Sequence, residues 1–412
     1  MKTIVHLALG SALALTACSK PNPYYCEGQP DNLCASTDGG PMGCDDSTEC
    51  TDSKAPVCDT SAHVCVACSE GQTAACTDNK PVCSNHECVA CTSHDQCDSN
   101  VCLFETGACG TDANVAYATP SGNDTNPCTF AQPCQKITTA ASKGKPYIKL
   151  AGSFDEAVLL DGIRVHIMAD AGTTLTRSAV GPVLELRGTS TVTIDDLIIR
   201  GAAGPTGSGV LVTSGQPVNL TMKRVAVLDN AAKGIDIAGG SVTLSRCVVS
   251  GNTGGGALIS ATLDITNSLF VTNGSNTSTV GGITVMPAGQ NDFFRFNTIA
   301  NNSSSSGTLS VRGLNCAIPM AVSNSIVAGN KASTNCTFTY SLFDSGTGAT
   351  GTNKEGDPKF KATDATMPLV STFFRIANDS AAIDSGDPQS NITLDIDGDN
   401  RSLPDIGADE YR

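Results

Sequence analysis

The chain has no tryptophan, and only 4% of its residues are aromatic. Indole platforms for sugars are therefore excluded, and between Tyr147 and Tyr340 any ring offered to a ligand must come from phenylalanine. Basic residues are scarce too, with 25 Lys and Arg against 40 Asp and Glu and a formal net charge of −15. No segment combines a basic patch with aromatics, which argues against a nucleic-acid partner. The apolar run from Ile4 to Ala17 is too short to span a bilayer, and none long enough follows it.

That first run has another use. Lys2 precedes it, His6 and small residues interrupt it, and it ends in Leu15-Thr16-Ala17-Cys18. A basic start, a short apolar core and small residues before a cut form a secretory signal. The Leu-Thr-Ala-Cys string resembles a bacterial lipobox. The resemblance implies a lipoprotein signal peptide over residues 1–17, a lipidated Cys18, and a lipidated N-terminus and linker over 18–43. Acyl chains contribute about 0.8 kcal/mol per buried methylene, so several on one residue anchor a protein to a membrane. Ser19 stands where an inner-membrane retention signal would place Asp, which implies the outer membrane or cell surface of a Gram-negative bacterium. The alternative is a plain secreted protein.

Cysteine is abundant, 20 residues in a chain with an export signal, which points to an oxidising compartment. From Cys44 the sequence repeats itself: CDDSTECTDSKAPVCDTSAHVCVA, then CSEGQTAACTDNKPVCSNHECVA, then CTSHDQCDSNVCLFETGACG. Three units with four cysteines each make a modular array over residues 44–110. Each unit has too few large apolar residues to offset chain entropy, so two disulfides per unit are expected, with connectivity open. Cys26 and Cys34 upstream would form a further pair. The spacing in VCVAC and ECVAC also suits zinc, but it arises wherever one unit ends and the next begins. The stretch from Cys18 to Gly110 carries 14 acidic and 3 basic residues. The array resembles cysteine-rich stalks of bacterial cell-surface proteins, which implies a spacer.

After Gly110 the composition turns to Gly, Ser, Thr, Asn, Val and Ile. Six segments superimpose: IDDLIIRGA, MKRVAVLDN, LSRCVVSGN, ITNSLFVTN, FRFNTIANN and VSNSIVAGN, the last ending at Asn330. Between them runs a second strand at Gly209–Val212, Gly234–Ile237, Gly256–Ile259, Gly282–Val285 and Thr308–Val311. A register of 21 to 29 residues is too short for a crossover helix, so each repeat should form one solenoid coil. Ile194, Met222, Leu244, Ile265, Phe294 and Val322 would stack inside, as would Ile199, Val227, Val249, Phe270, Ile299 and Val327. The asparagine column at 230, 252, 273, 302 and 330 is expected in the turn, in left-handed geometry, each amide bonding its copy in the next coil. The fold class is all-β: a right-handed parallel β-helix preceded by a small disulfide-rich module.

The segment from Tyr117 to Ala141, YATPSGNDTNPCTFAQPCQKITTAA, is similar to the opening of pectate-lyase-like β-helix repeat proteins. In those a Gly-x-Asp turn precedes a short helix covering the first coil. Asp357–Phe360, Ser380–Gly386, Asp395–Gly398 and Asp405–Tyr411 resemble their closing segment. The resemblance implies a cap and β-helix over 111–345 and a closing segment over 346–412. Cys128 and Cys134 replace the family's usual Gly and Phe, implying a local disulfide. Cys316 and Cys336 bracket the last coil and would pair, leaving Cys247 as a small apolar core residue.

Many proteins of this fold cleave acidic polysaccharides. A lyase needs carboxylates for calcium and a Lys or Arg to remove a proton. The candidate catalytic residues are Asp195 and Asp196 with Lys223 and Arg224 one coil on, followed by Arg246. One strand spacing, about 4.8 Å, separates these levels, which equally suits surface ion pairs. The pairs are the preferred reading, because further carboxylates are missing from the column. His166 reads as structural. Asp395, Asp397 and Asp399 resemble part of a calcium loop, but its Gly and Glu are out of place, so capping turns are the alternative. Two functions follow: a non-catalytic surface lipoprotein whose β-helix binds carbohydrate or a surface protein partner, or a calcium-dependent polysaccharide lyase.

Overall fold

The chain divides into two units, Met1–Cys109 and Gly110–Arg412. The computed structural model describes residues 43–412, apart from 70–74, 78, 290–291, 306–311, 331, 333 and 345–348. The signal segment, Cys18, and Cys26 with Cys34 lie outside the described residues.

In the disulfide-rich unit each repeat ends in an antiparallel hairpin: Val57–Asp59 with Val64–Val66, Val82–Ser84 with Glu87–Val89, and Cys102–Leu103 with Ala108–Cys109. In the second, Asn85 and His86 form the two-residue turn, both at positive φ, the geometry whose twist matches paired strands. Cysteines bond first to third and second to fourth in every repeat: Cys44–Cys58 and Cys50–Cys65, Cys68–Cys83 and Cys76–Cys88, Cys91–Cys102 and Cys97–Cys109. Each closes a loop of 11 to 15 residues, and loops of that size lose about 3 kcal/mol of unfolded-state entropy on cross-linking. The zinc-like spacings join cysteines of different repeats, and all are oxidised.

The second unit is a parallel β-solenoid with seven complete turns. Three parallel sheets run along it. A long-strand sheet of ten runs from Val115–Ala118 to Cys336–Thr339, and a short-strand sheet of ten from Ser153–Asp155 to Lys354–Glu355. A sheet of seven runs from Val158–Asp161 to Leu314–Cys316. The inward columns are those the periodicity predicts. Ile194, Met222, Leu244, Ile265 and Phe294 are register partners. So are Ile199, Val227, Val249, Phe270, Ile299 and Val327, and all are buried. The expected strand at Thr308–Val311 lies outside the described residues. Its place in the sheet is taken by Leu314–Cys316, whose Leu314 and Cys316 face inward and whose Cys316 bonds Cys336.

Two corners flank the short strands, and both use left-handed backbone. At the first stand Asp196, Arg224, Arg246, Asn267, Phe296, Asn324 and Tyr340, and at the second Gly201, Asp229, Gly251, Thr272, Asn301 and Gly329. Left-handed geometry therefore falls one residue before the asparagine column, not in the column as expected. Its members have ordinary φ and are buried. Asn252 shows the reason: its Nδ2 donates to Val227 O, Ser250 O and Asn273 Oδ1, while its Oδ1 accepts from Asn230 N and Nδ2. The ladder continues through Asn302 to Asn330. Beside it glycine is obligatory, because a Cβ at Gly234 would lie 2.6 Å from Asn252 Nδ2 and 2.8 Å from Gly256 O.

A second ladder follows the first corner. Cys247 N donates to Ser268 Oγ, Ser268 N to Asn297 Oδ1, Asn297 N to Ser325 Oγ, and Ser325 N to Ser341 Oγ. Cys247 lies in the corner between strands, not within one. It is free and fully buried, and burial pushes its thiol up to about 12.

At the start of the solenoid, helix Ile137–Ser142 buries Ile137 and Ala140 against the first coil. Glu156 satisfies its N-terminus, accepting from Ile137 N at 2.8 Å and Thr138 N at 3.0 Å. Cys128 and Cys134 are bonded beside it. At the other end the closing segment covers the outer face of the short-strand sheet, packing Phe373, Phe374, Ile376, Ile396 and Ile406 with Leu269, Val271, Ile326 and Ala328.

Asn252→Ala is expected to destabilise the solenoid by roughly 3 kcal/mol, because it leaves several buried donors and acceptors unpaired. Gly234→Ala should act in the same direction through the clash just described. Denaturant titration followed by circular dichroism measures both. An unchanged midpoint in either variant would contradict the lock between ladder and glycine column.

Candidate functional site

Strand Thr191–Asp195 ends in Asp195, and Asp196 turns the corner. One rung on, the same positions hold Lys223 and Arg224, and on the next Ser245 and Arg246. The register thus brings together the four candidate residues. Arg224 grips Asp196 with both arms of its fork, Nε to Oδ1 at 2.6 Å and Nη2 to Oδ2 at 2.7 Å, the geometry that makes Arg–carboxylate pairs strong. Its Nη2 is also 3.8 Å from Asp195 Oδ2. The hydrogen bond to Asp196, and then the charges of both aspartates, hold the Arg224 guanidinium above its ordinary range.

Asp195 is only 6% exposed, and its near partner is His166, whose Nε2 is 3.0 Å from Oδ2. That partnership was not read from the sequence. Register pairs His166 with Thr193 and Met168 with Asp195, so the contact runs diagonally between adjacent rungs. Strand alternation carries the signal, since His166 and Asp195 both project outward. Arg246 leaves the group instead of extending it. Its Nε donates to Ile396 O at 2.8 Å, and burial, reinforced by the charge of Arg224, pushes its guanidinium down. Lys223 forms no ion pair among the described residues.

Beside this cluster the long-strand sheet presents a polar grid. On four successive rungs the outward residues are Thr191, Thr193 and Asp195; Asn219, Thr221 and Lys223; Ser241, Thr243 and Ser245; and Thr262, Asp264 and Thr266. Rungs are about 4.8 Å apart and columns about 6.6 Å, so small side chains lie on a nearly rectangular lattice. The next rung adds Phe293, which is exposed and carries the Arg295 guanidinium 4.4 Å from its ring centroid. Arg295 lies 3.9 Å from Asp264, whose carboxyl burial pushes up.

Of the possible calcium triplet, Asp395 and Asp397 come together and Asp399 does not, and Asp395 makes the turns given as the alternative. Asp395 Oδ1 accepts Asp397 N and Asp399 N at 2.9 and 2.7 Å, and its Oδ2 accepts Glu410 N at 3.0 Å. Asp399 turns to Arg412, 3.1 Å away. Asp409 takes its place: oxygens of Asp395, Asp397 and Asp409 lie within 4.8 Å of one another. The guanidinium of Arg375 fills the cation's role there, with Nε and Nη2 each 2.7 Å from Asp397 and Nε 3.4 Å from Asp409. The same carboxylate oxygens accept hydrogen bonds from backbone amides and arginine. Arg375, Arg401 and Asp409 were not singled out from the sequence, because their partners lie on separate loops.

Comparison with known proteins adds three similarities. A family model described as a family of unknown function (DUF8331) matches residues 15–115. No curated protein matches the chain. Among solved structures, the pectate lyase Pel9A is similar at 14% identity over 72% of this chain and 96% of that one, with a TM-score of 0.42. A pectin methylesterase from Aspergillus niger, in deglycosylated form, is similar at 12% identity over 62% of this chain and 94% of that one, with a TM-score of 0.37.

Because the acidic group of the closing segment is held by arginine and amides, excess chelator is expected to leave the melting temperature unchanged. Scanning calorimetry with EGTA, then with added calcium, checks this. A fall with chelator that calcium reverses would show a bound cation.

Proposed function

We propose that this protein is a non-catalytic, lipid-anchored surface protein whose solenoid binds carbohydrate on the outer face of the long-strand sheet, with the disulfide-rich repeats as a spacer. The observation that carries this reading is the lattice on four consecutive rungs, in which nine of the twelve outward side chains are hydroxyl or amide. Such groups can both give and accept hydrogen bonds, as sugar hydroxyls do, and an extended glycan can follow a rigid row. Phe293 at one end supplies an apolar ring face. The cations a lyase would use are mostly committed, since Arg224 is clamped by Asp196 and Arg246 by a backbone carbonyl.

The second reading, a calcium-dependent polysaccharide lyase, draws support from one residue. Lys223 stands beside Asp195 without an ion-pair partner among the described residues. Calcium would have to displace Arg224 and His166 from the two aspartates.

A glycan screen with the full chain tests both. Replacing hydroxyls by methyls in Thr221→Val with Thr243→Val is expected to weaken glycan binding about thirtyfold, from two hydrogen bonds near 1 kcal/mol each. Uronate polymers are expected to give no unsaturated products with or without calcium. Products that vanish in Lys223→Ala would establish the lyase instead. For anchoring, labelled fatty acid should appear on the wild-type protein and be absent from Cys18→Ser, which should also leave the membrane fraction. A variant that stays anchored would remove the lipid from the account.

A further inference from the structure

The hydroxyl lattice gives way at one end to a group of different chemistry. Register sets Asp264 opposite Phe293 and Thr266 opposite Arg295, so four outward side chains form a square on two adjacent rungs. One exposed phenylalanine carries no meaning by itself, but this one stands in a built setting. The Arg295 guanidinium lies 4.4 Å from the Phe293 ring centroid, 3.9 Å from Asp264 Oδ1 and 3.5 Å from Asn391 Oδ1. Asn267, next to Thr266, donates through Nδ2 to Leu394 O at 2.8 Å. The closing segment at Asn391 to Leu394 therefore borders the square, and the Leu394 side chain is exposed there. Phe293 keeps 42% of its surface open. Asp264 Oδ1 is buried while its side chain is 43% exposed, so the acceptor offered to solvent is Oδ2.

We propose that Phe293, Asp264 and Arg295 form a subsite for one neutral sugar ring, which stacks its C–H face on Phe293 and donates hydroxyl protons to Asp264 Oδ2. The proposal rests on the reading of the lattice as a glycan-binding face and names the class of glycan. A sugar ring has apolar C–H faces and a rim of hydroxyl donors, so an aromatic ring beside a charged acceptor matches both. Hydrogen bonds to a carboxylate are of the stronger kind. Arg295 holds Phe293 and Asp264 in place before a ligand arrives, which lowers the ordering cost of binding. An acidic sugar is disfavoured, because its carboxylate would meet Asp264, and the guanidinium that could pair with it already faces the ring, Asp264 and Asn391. The net charge of −15 adds to that repulsion. Thr243 and Thr221 follow Asp264 in the same column, two and three rungs from Phe293. They lie about 10 and 14 Å away along the solenoid, so a disaccharide on Phe293 falls short of Thr221 and a hexasaccharide passes it.

Ligand-observed NMR titrations of the full chain with di- and hexasaccharides of glucose, mannose, galactose and galacturonate read the subsite. At least one neutral series is expected to bind about tenfold or more tightly than galacturonate of equal length. Phe293→Ala should weaken both lengths of it about tenfold. Phe293→Leu, which keeps the apolar bulk in the strand but removes the ring, should act likewise. Asp264→Asn should weaken both lengths about tenfold and narrow the margin over galacturonate. Thr221→Val should weaken the hexasaccharide alone, about fivefold. Preference for galacturonate, or neutral binding that Thr221→Val weakens and neither Phe293 variant changes, would overturn the subsite and leave the glycan-binding face standing. Binding of no oligomer would overturn both.

Discussion

The buried asparagine ladder is the constraint on which the solenoid depends. Every coil must bend sharply twice, and a bend inside a stacked structure leaves backbone groups with neither a strand partner nor water. Asn230, Asn252, Asn273, Asn302 and Asn330 solve this with one amide per coil. The same amide fixes where each coil passes over the last. Coil length can then vary without loss of register, because extra residues fall after the ladder, as in 274–282, before the chain re-enters the seven-stranded sheet at Gly256 or Gly282. Those glycines are part of the lock, since the ladder amides occupy the space where a Cβ would sit.

Much of this was legible because a solenoid repeats by translation. Residues meeting in space occupy equivalent sequence positions, so the stacking of Ile194, Met222 and Leu244 can be read from alignment of the chain with itself. What was not legible breaks that equivalence. His166 finds Asp195 diagonally, which no column displays. The left-handed residues escaped notice because Asp196, Arg224, Arg246, Phe296 and Tyr340 share no chemistry, only a backbone angle that neighbouring coils impose at a cost of about 1–2 kcal/mol for bulky side chains. Cys247 is the core residue that LSRCVV suggested, but its amide is also the first rung of a ladder whose polar residues come only on later coils.

The candidate site illustrates the same limit. Composition and register located Asp195, Asp196, Lys223 and Arg224 together, and chemistry alone left catalysis and ion pairing as alternatives. Geometry separates the four. The left-handed corner aims Arg224 along the solenoid axis at Asp196, whereas Lys223, one residue earlier and still on the strand, points outward onto the hydroxyl lattice. Two adjacent cations thus have different roles because one stands on a strand and the other on a bend.

The short-strand sheet explains why a closing segment exists at all. Its outer face carries Arg200 and Ser250 on early coils but Leu269 with Val271 and Ile326 with Ala328 on later ones. An apolar stripe that includes Val248 on the fifth strand of this sheet must be covered, and Phe373, Phe374, Ile396 and Ile406 cover it. Apolar packing is non-directional and would tolerate several placements. Directional contacts remove that freedom: Arg401 to Asn267 across 134 residues, Ile396 O to Arg246 across 150, and Ala408 N to Thr298 across 110. Each uses a corner or strand-end position whose side chain or backbone faces outward. The bend that completes each coil therefore also provides the row of attachment points on which the last segment of the chain is registered.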